Sequence, residues 1–279
     1  MTARHATARM RSLATELTDL RVKAGLTTRE AAKLIGTSPS SLNRLENGGK
    51  VIAAEDVSAL LVAYGVTGVK RGELLGLARE SDIQGWWETG GSLPRQATAL
   101  ITFEAQAARI VDASMLLVPG LLQTAEYARA VMTATGVTGS EMEAMVSARL
   151  GRQAVLSKPR PPAYLAIIDE AVLRRPMGGA GVMAAQLRRI VEATRKPHLD
   201  VRVLPFARGG HTGLDGAYVL LEFAAERPIV HLEHKRSGLF MDEPDDVSPF
   251  QTATDTLVAT ALGPADSTEF LASVAGDFT

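Results

Sequence analysis

Residues Gly36 to Gly48 read Gly-Thr-Ser-Pro-Ser-Ser-Leu-Asn-Arg-Leu-Glu-Asn-Gly, and this stretch predicts a tight turn followed by a short helix. Gly36 supplies the turn, and Ser38 is placed to cap the helix. Pro39 stands at the first helical position, where a missing backbone N–H costs nothing. Leu42 and Leu45 share one face of this helix and predict contact with a core. The opposite face is therefore expected to be polar and exposed.

Two helical segments precede the turn. From Met10 to Ala24 apolar residues recur at helical spacing, and Gly25 ends the pattern as a left-handed cap. A second helix is predicted to open at Thr27 or Thr28, with Glu30 placed to complete a capping box if Thr27 is the cap. Small residues on its inner side would let the next helix cross close by.

Two further helices, over 53–64 and 70–80, complete an all-α, five-helix region over residues 1–81. This region carries twelve Lys and Arg against eight Asp and Glu, whereas the remaining residues carry eighteen against twenty-three. A basic head on an acidic body is the distribution expected when only one part of a chain meets phosphates.

The segment from Leu26 to Gly48 resembles the helix-turn-helix of the phage-repressor (XRE-like) family of transcriptional regulators, including the Leu-Glu-Asn-Gly ending. The resemblance implies that the helix Ser38–Asn47 is a recognition helix in the major groove of DNA, with its N-terminal residues against base edges. The residues expected to contact DNA are Thr28, Ser38, Pro39, Ser40, Ser41, Asn43, Arg44, Asn47 and Lys50.

Within that set the resemblance implies different roles. Pro39, Ser40 and Arg44 fall where the family reads bases, and Asn47 falls where it commonly holds a phosphate. Thr28 replaces a Gln that contacts phosphate in the family, so this anchor is expected to be weak. Because Pro39 and Ser40 offer few donors, Arg44 is expected to be the main reader, through two hydrogen bonds to one guanine.

Two readings of these residues compete with DNA contact. The segment could be a small helical bundle whose turn serves only packing, with Arg44 a solvated charge. Lys50 could equally reach a phosphate or remain solvated. The agreement of turn, caps, core spacing and terminal Asn-Gly favours the DNA-binding reading.

Residues 99–279 predict an α/β domain with a small mixed sheet, after a linker over 82–98 that breaks the helical pattern. The expected fold class of the chain is α+β. A helix is predicted over 100–112 and a closing helix over 249–262. Strands are predicted over 164–169, 199–205, 217–223 and 229–234.

This second part also carries three signatures in order. They are Leu117–Arg129, Asp169–Pro176, and Leu204–Phe206 with His211–Gly216. Together they resemble the domain of unknown function that follows such helix-turn-helix heads in actinobacterial regulators. The resemblance implies a regulatory domain, often encoded beside a small companion protein.

The chemistry of the second part is less specific. His211, Asp215 and His231 are candidates for acid/base or metal roles, but no spacing matches a metal site or a phosphate loop, and the chain has no cysteine. Asp169 and Glu170 are adjacent, and on a strand end they would point to opposite sides. No catalytic residue, metal or cofactor is therefore predicted.

If an effector pocket exists, two loops of the second part are expected to form it. Both carry groups able to hold an anion or to titrate near neutrality. The residues are Arg174, Arg175, His211 and Asp215.

The favoured hypothesis is a homodimeric, cytoplasmic transcriptional regulator that binds a palindromic operator in double-stranded DNA. Dimerisation is expected because one short helix offers few base contacts. The second domain would take its signal from a companion protein or a small-molecule effector, without enzymatic activity. No signal peptide or bilayer-spanning apolar run is apparent in the sequence.

Two other classes of protein fit the same features. One is a protein-interaction or antitoxin-like module whose DNA contact only reports its occupancy. The other is an enzyme with a DNA-binding tether.

Overall fold

A computed structural model describes residues 7–47, 53–79, 86–89, 94–234 and 237–278 of the 279-residue chain. The chain divides into two compact units: Met1–Gly90 with Leu239–Glu243, and Gly91–Gly238 with Pro244–Thr279. A helical first unit followed by a mixed sheet confirms the α+β class. Within the described ranges, no helix combines the length and apolarity that a bilayer crossing requires.

The described residues of the first unit contain five helices, as predicted. They are α1 (Ala8–Lys23), α2 (Thr28–Leu34), α3 (Pro39–Glu46), α4 (Ala54–Ala63) and α5 (Gly68–Arg79). Gly36, between α2 and α3, has φ +69°, a conformation that side chains rarely adopt. Ser38 caps α3 with Pro39 at its first turn, and Thr27 with Glu30 forms a full capping box on α2. The predicted caps are confirmed.

The core of the first unit takes apolar side chains from all five helices. Ile35 and Leu75, at its edge, are only partly buried. The central buried residues are Leu13, Leu17, Ala31, Ala32, Leu42, Leu45, Val57, Leu60, Leu61 and Leu74. The predicted inward leucines of α3 are thus confirmed as core residues.

A buried ion pair ties the end of α3 to α1. The Arg21 guanidinium donates from Nε to Glu46 Oε1 at 2.7 Å and from Nη2 to Glu46 Oε2 at 3.0 Å, while its Nη1 donates to the Leu26 carbonyl at 2.8 Å. The two side chains are only 12% and 4% exposed. Its hydrogen bond to Glu46 raises the pKa of Arg21, and burial raises the pKa of the neighbouring Tyr64 on α4. We call this contact the Arg21–Glu46 clamp.

In the described ranges, seven strands follow α5. They are β1 (Trp86–Thr89), β2 (Arg109–Ser114), β3 (Ala163–Asp169), β4 (Leu199–Leu204), β5 (Tyr218–Glu222), β6 (Ile229–His234) and β7 (Ser237–Met241). β1 and most of β7 belong to the first unit. The strands of the second unit lie in the order β6-β5-β2-β3-β4, with β2, β3 and β4 parallel and β5 and β6 antiparallel. The mixed sheet and the predicted hairpin of β5 and β6 are confirmed.

The helices of the second unit connect and cover this sheet. They are α6 (Pro94–Gln106), α7 (Ala125–Ala134), α8 (Gly139–Arg152), α9 (Glu170–Arg174), α10 (Ala180–Ala193), α11 (Pro244–Thr260) and α12 (Pro264–Gly276). On the edge strand β4, the backbone N–H of Val203 donates to Ser267 Oγ of α12 at 3.0 Å. This contact covers part of the open edge of the sheet.

The single helix predicted over 100–112 is wrong. α6 ends at Gln106, and Arg109 begins β2, the middle strand of the second unit. Ile110, Val111 and Ala113 are all buried, because β2 is paired on both sides and covered on both faces. Such a strand shows no clean alternation of apolar and polar residues, so its apolar run is compatible with a helical pattern.

The closing helix predicted over 249–262 is longer and earlier than expected. It is part of α11, which begins at Pro244 and contains Pro249 within its early turns. The helix α12 that follows was not predicted. The predicted linker over 82–98 lies partly outside the described residues, and its described part contains β1 and the start of α6.

Polar side chains lie in one row of the sheet of the second unit. Asp112 on β2 is aligned with Val219 on β5, which is aligned with His231 on β6. Ser114 Oγ and the Tyr164 hydroxyl donate to the Asp112 carboxylate at 2.6 and 3.2 Å. Burial raises the pKa of Asp112 to about 6 and lowers the pKa of His231 to about 4. At neutral pH the Asp112 carboxylate is therefore ionised, which lowers the stability of the fold, and the His231 imidazole is neutral.

We expect Glu46→Gln to lower the stability of the first unit by about 3 kcal/mol, because removing one partner leaves the other charge buried and unpaired. Hydrogen exchange of the amides of α1 and α3 in the full chain measures the loss. Glu16→Gln is the matched control: Glu16 pairs with Lys70 where both side chains are 30–40% exposed, so its loss costs at most about 1 kcal/mol. Equal losses in the two variants would contradict the importance of the clamp.

We expect Asp112→Asn to remove a pH-dependent loss of stability. With a raised pKa, folded Asp112 keeps its proton at pH 5 while the unfolded group is ionised, so its contribution falls as pH rises from about 4 to about 6 and then stays constant. The difference between variant and wild type should therefore favour the variant more at pH 8 than at pH 4, by at most about 3 kcal/mol. Denaturant unfolding at both pH values checks this; a pH-independent difference would show that Asp112 does not titrate there.

Candidate nucleic-acid interface

The third helix of the first unit presents one fixed face inward and one polar face outward. Leu42, Leu45 and Glu46 are buried. The side chains on the outer face are exposed, with Ser41 half-buried at its border. These exposed residues are Ser38, Pro39, Ser40, Asn43, Arg44 and Asn47. The predicted DNA-contact residues of α3 are thus brought together on one surface.

Small hydroxyl groups surround the N-terminus of α3. Ser38 Oγ accepts the backbone N–H of Ser41 at 3.1 Å and lies 3.3 Å from Ser40 Oγ. Since Ser38 is already engaged in capping, Ser40 retains more of its hydrogen-bonding capacity. Neither side chain is long enough for bidentate readout of a base.

The C-terminal half of α3 carries its longer polar side chains. Asn47 Nδ2 donates to the Asn43 carbonyl at 2.8 Å and to Asn43 Oδ1 at 3.1 Å, so these two amides hold each other. Arg44 is exposed and, among the described residues, has no hydrogen-bond or ion-pair partner. Its guanidinium is therefore available for two parallel hydrogen bonds to a base edge or a phosphate.

A carboxylate from the same helix, that of Glu30, already occupies the N-terminus of α2. Glu30 Oε2 accepts the Thr27 backbone N–H at 2.8 Å and the Thr27 hydroxyl at 2.7 Å, and these bonds lower the pKa of Glu30. Thr28 follows directly and is half-buried. A carboxylate at this helix end competes with a phosphate for the same N–H groups, whereas the exposed Arg29 beside it offers a positive charge.

Sequence reasoning missed the residues that orient α3. Glu46 lies four residues after Leu42, and Arg21 lies four residues after Leu17, so helical spacing places both charges on buried faces. A charged side chain on such a face needs a partner, which was the available signal. Lys50 and Gly48, which were part of the predicted contact region, lie outside the described residues.

The residues predicted as an effector pocket do not form one cluster of free groups. The His211 imidazole is 4% exposed, and its Nε2 lies 3.0 Å from Asp169 Oδ2. Arg174 donates to Glu170 at 2.5 Å and to Asp277 at 3.1 Å, so its charge is engaged. Arg175 and Asp215 are exposed, with no side-chain partner in the described part of the chain.

His211 and Asp169 form a buried polar pair in this region. Asp169 Oδ1 also accepts the backbone N–H of Ala171 at 2.7 Å, which caps α9. His211 Nδ1 is buried and has no hydrogen-bond partner among the residues that the structure describes. A side chain on Gly213 would have its Cβ 3.0 Å from this nitrogen and 2.5 Å from Met115 Cε, so Met115 would have to move to accommodate it.

Comparison with known proteins gives two family matches. A helix-turn-helix domain matches residues 12–74, and the Domain of unknown function (DUF5753) matches residues 97–273. The crystal structure of the clp gene regulator ClgR from C. glutamicum is 28% identical, covers 29% of this chain and 100% of that chain, and has a TM-score of 0.23. No curated protein matches the chain.

The second match spans more than half of the chain, and the first spans the described helices α2 and α3 with their turn. Helix-turn-helix domains are DNA-binding modules, which supports DNA-linked regulation. The chain belongs to the DUF5753 family, and its DUF5753 domain follows an N-terminal helix-turn-helix domain.

Proposed function

We propose that the protein is a sequence-specific transcriptional regulator that inserts α3 into the major groove of DNA as a homodimer on a palindromic operator. The observation that carries the proposal is the position of Arg44. It is exposed and has no partner in the described part of the chain, on a helix whose opposite face is held by Leu42, Leu45 and Glu46. The major groove is about 12 Å wide and admits such a helix.

Each surface residue of α3 then has a role that follows from its chemistry. Arg44 reads a guanine through O6 and N7, and Ser40 makes a single hydrogen bond near the helix N-terminus. Pro39 and Ser41 make short-range contacts. Asn43 and Asn47, held by each other, offer their remaining capacity to a base edge and a phosphate.

Phosphate contacts supply the sequence-independent part of the affinity. The first 81 residues carry four more basic than acidic side chains. At α2 the Glu30 carboxylate weakens the phosphate site next to Thr28, and we infer that Arg29 takes over this anchoring. Lys50 would add a further phosphate contact. Binding should therefore weaken as salt rises.

Dimerisation follows from the small number of base contacts that one α3 can make. Two recognition helices about 34 Å apart read two half-sites and double the contacts, and the symmetry of the protein matches that of a palindromic operator. The proposal places the protein in the cytoplasm because its target is genomic DNA.

The second unit is proposed to receive the signal, around the pair of His211 and Asp169. Three large apolar side chains are exposed on the loops that follow β2 and β4: Leu116 at 69%, Phe206 at 58% and Leu214 at 70%. Met115 approaches Gly213, and the Phe206 N–H donates to Glu170 beside Asp169, so the loops that carry these three residues lie next to one another. We call Leu116, Phe206 and Leu214 the apolar rim.

The apolar rim favours a protein partner as the signal over a small molecule. Exposed apolar side chains on adjacent loops mark sites of protein interaction. Small ligands are instead enclosed in concave pockets. The same rim supports the second candidate function, an interaction module whose DNA contact reports its occupancy. An enzyme is less well supported, because the His211 side chain is 4% exposed and is engaged by Asp169.

We expect Arg44→Ala to weaken operator binding by about 1–3 kcal/mol and to relax the preference at one base position in each half-site. A binding titration with the selected operator and a randomised library measures both effects. Arg160→Ala removes the same charge from an exposed site in the second unit and should leave affinity unchanged within about 0.5 kcal/mol. An unaltered base preference in Arg44→Ala would contradict the proposal that α3 is the recognition helix.

We expect the double variant Phe206→Ser/Leu214→Ser to bind the operator like wild type while losing regulation in cells. A reporter on the operator promoter should stay at one level under growth conditions that change wild-type output, because the partner no longer binds the apolar rim. Ile101→Ser, at a 37% exposed site of the same unit, is the control and should respond like wild type. A normal response in the double variant would mean that the signal enters elsewhere.

A further inference from the structure

The first unit has an apolar groove that DNA recognition by α3 does not use. α2, α4 and α5 line this groove, which is shallow and open to solvent and has a volume of about 890 Å³. Its apolar lining includes Leu34 and Ile35 from α2, Val62 from α4 and Leu75 from α5. No residue of α3 lines it. The recognition surface and the groove can therefore be occupied at the same time.

Two large apolar side chains in the groove are exposed to solvent. Leu34 is 62% exposed and Val62 is 68% exposed, although both helices also contribute fully buried residues to the core. Apolar side chains gathered along one concave surface mark a site of association, whereas singly scattered ones do not. The groove thus has the composition of an uncovered interface.

Charges at the groove indicate which partner fits. Glu55 and Arg79 both line it, and in the described part of the chain neither has an ion-pair partner. A partner that is uniformly acidic or basic would satisfy one of them and repel the other. In a pairing with a second copy related by a two-fold axis, a contact between Arg79 of one copy and Glu55 of the other would occur twice, because contacts are reciprocal in such an interface, and both charges would be satisfied.

We propose that two copies of this chain associate through the α2–α4–α5 groove, burying Leu34 and Val62 and pairing Glu55 with Arg79 across the two-fold axis. The inference rests on the proposed homodimeric regulator and names the surface that makes the dimer. It leaves both α3 helices free to read the two half-sites.

Sedimentation equilibrium of the full chain tests the apolar part of the interface. Val62→Glu should raise the dimer dissociation constant at least about ten-fold, because the symmetric interface would bury two added carboxylates without partners. Val69→Glu is the matched control, since Val69 is 80% exposed on α5 and does not line the groove. It should dimerise like wild type. Equal effects of the two substitutions, or none from Val62→Glu, would overturn the proposal.

Charge reversal tests the ionic part with a result that a folding defect cannot imitate. Glu55→Arg and Arg79→Glu should each weaken the dimer, because each places like charges opposite one another. The double variant should recover dimerisation to within about three-fold of wild type, since the pairing is restored with reversed sign. Additive weakening in the double variant would overturn the pairing of Glu55 with Arg79.

Operator binding separates failure of this inference from failure of the proposed function. If Val62→Glu dimerises normally and binds a palindromic operator normally, the groove is not the interface but the regulator stands. If wild type is monomeric at all concentrations and binds one half-site as tightly as two, both the groove and the homodimer are wrong. The expected result is that Val62→Glu loses the preference for two half-sites while single half-site binding is kept.

Discussion

The contact between Arg21 and Glu46 is the constraint on which the recognition surface depends. α3 has only eight residues, and a helix of two turns has little stability of its own in water. Its orientation must therefore come from tertiary contacts. Leucine packing tolerates some rotation of a helix, but a bidentate pair with side chains 12% and 4% exposed does not. Because each residue turns a helix by about 100°, Arg44 lies about 200° from Glu46 and points away from the clamp.

This arrangement separates the surfaces of the first unit. The clamp and the leucines hold the inner face of α3, and Arg44 projects from its outer face. The groove of α2, α4 and α5 draws on helices that share the same core. Since one core fixes all of these helices, a change in how two copies pair through the groove would be transmitted to the spacing of the two α3 helices. That spacing decides which operators a dimer accepts.

Features set by near neighbours in the chain could be predicted from sequence, and features set by distant partners could not. Thr27 with Glu30 and Ser38 with Pro39 form their caps within one helical turn, so sequence alone sufficed. Glu46 meets Arg21 across 25 residues, and His211 meets Asp169 across 42, where no local rule specifies the partner. β2 was missed because burial on both faces removes the alternation that marks a strand. The groove left no signal, since exposed Leu34 and Val62 fit the same helical pattern as buried residues.

The topology of the second unit explains why its three sequence signatures lie so far apart in the chain. One follows β2, one begins at the end of β3, and one begins at the end of β4. These strands are parallel, so their carboxyl ends lie at the same end of the sheet, where ligands of such sheets commonly bind.

Several signature residues at the carboxyl ends of these strands fix the conformation of the loops through hydrogen bonds. Gln123 donates to the Val118 carbonyl at 2.7 Å, the Tyr127 hydroxyl accepts the Val118 N–H at 3.1 Å, and Asp169 fixes His211. The exposed residues of the apolar rim lie on the same loops or next to them. The signatures therefore contain residues that fix the conformation of the loops. Such residues can be recognised from the sequence more readily than the partner that binds the loops.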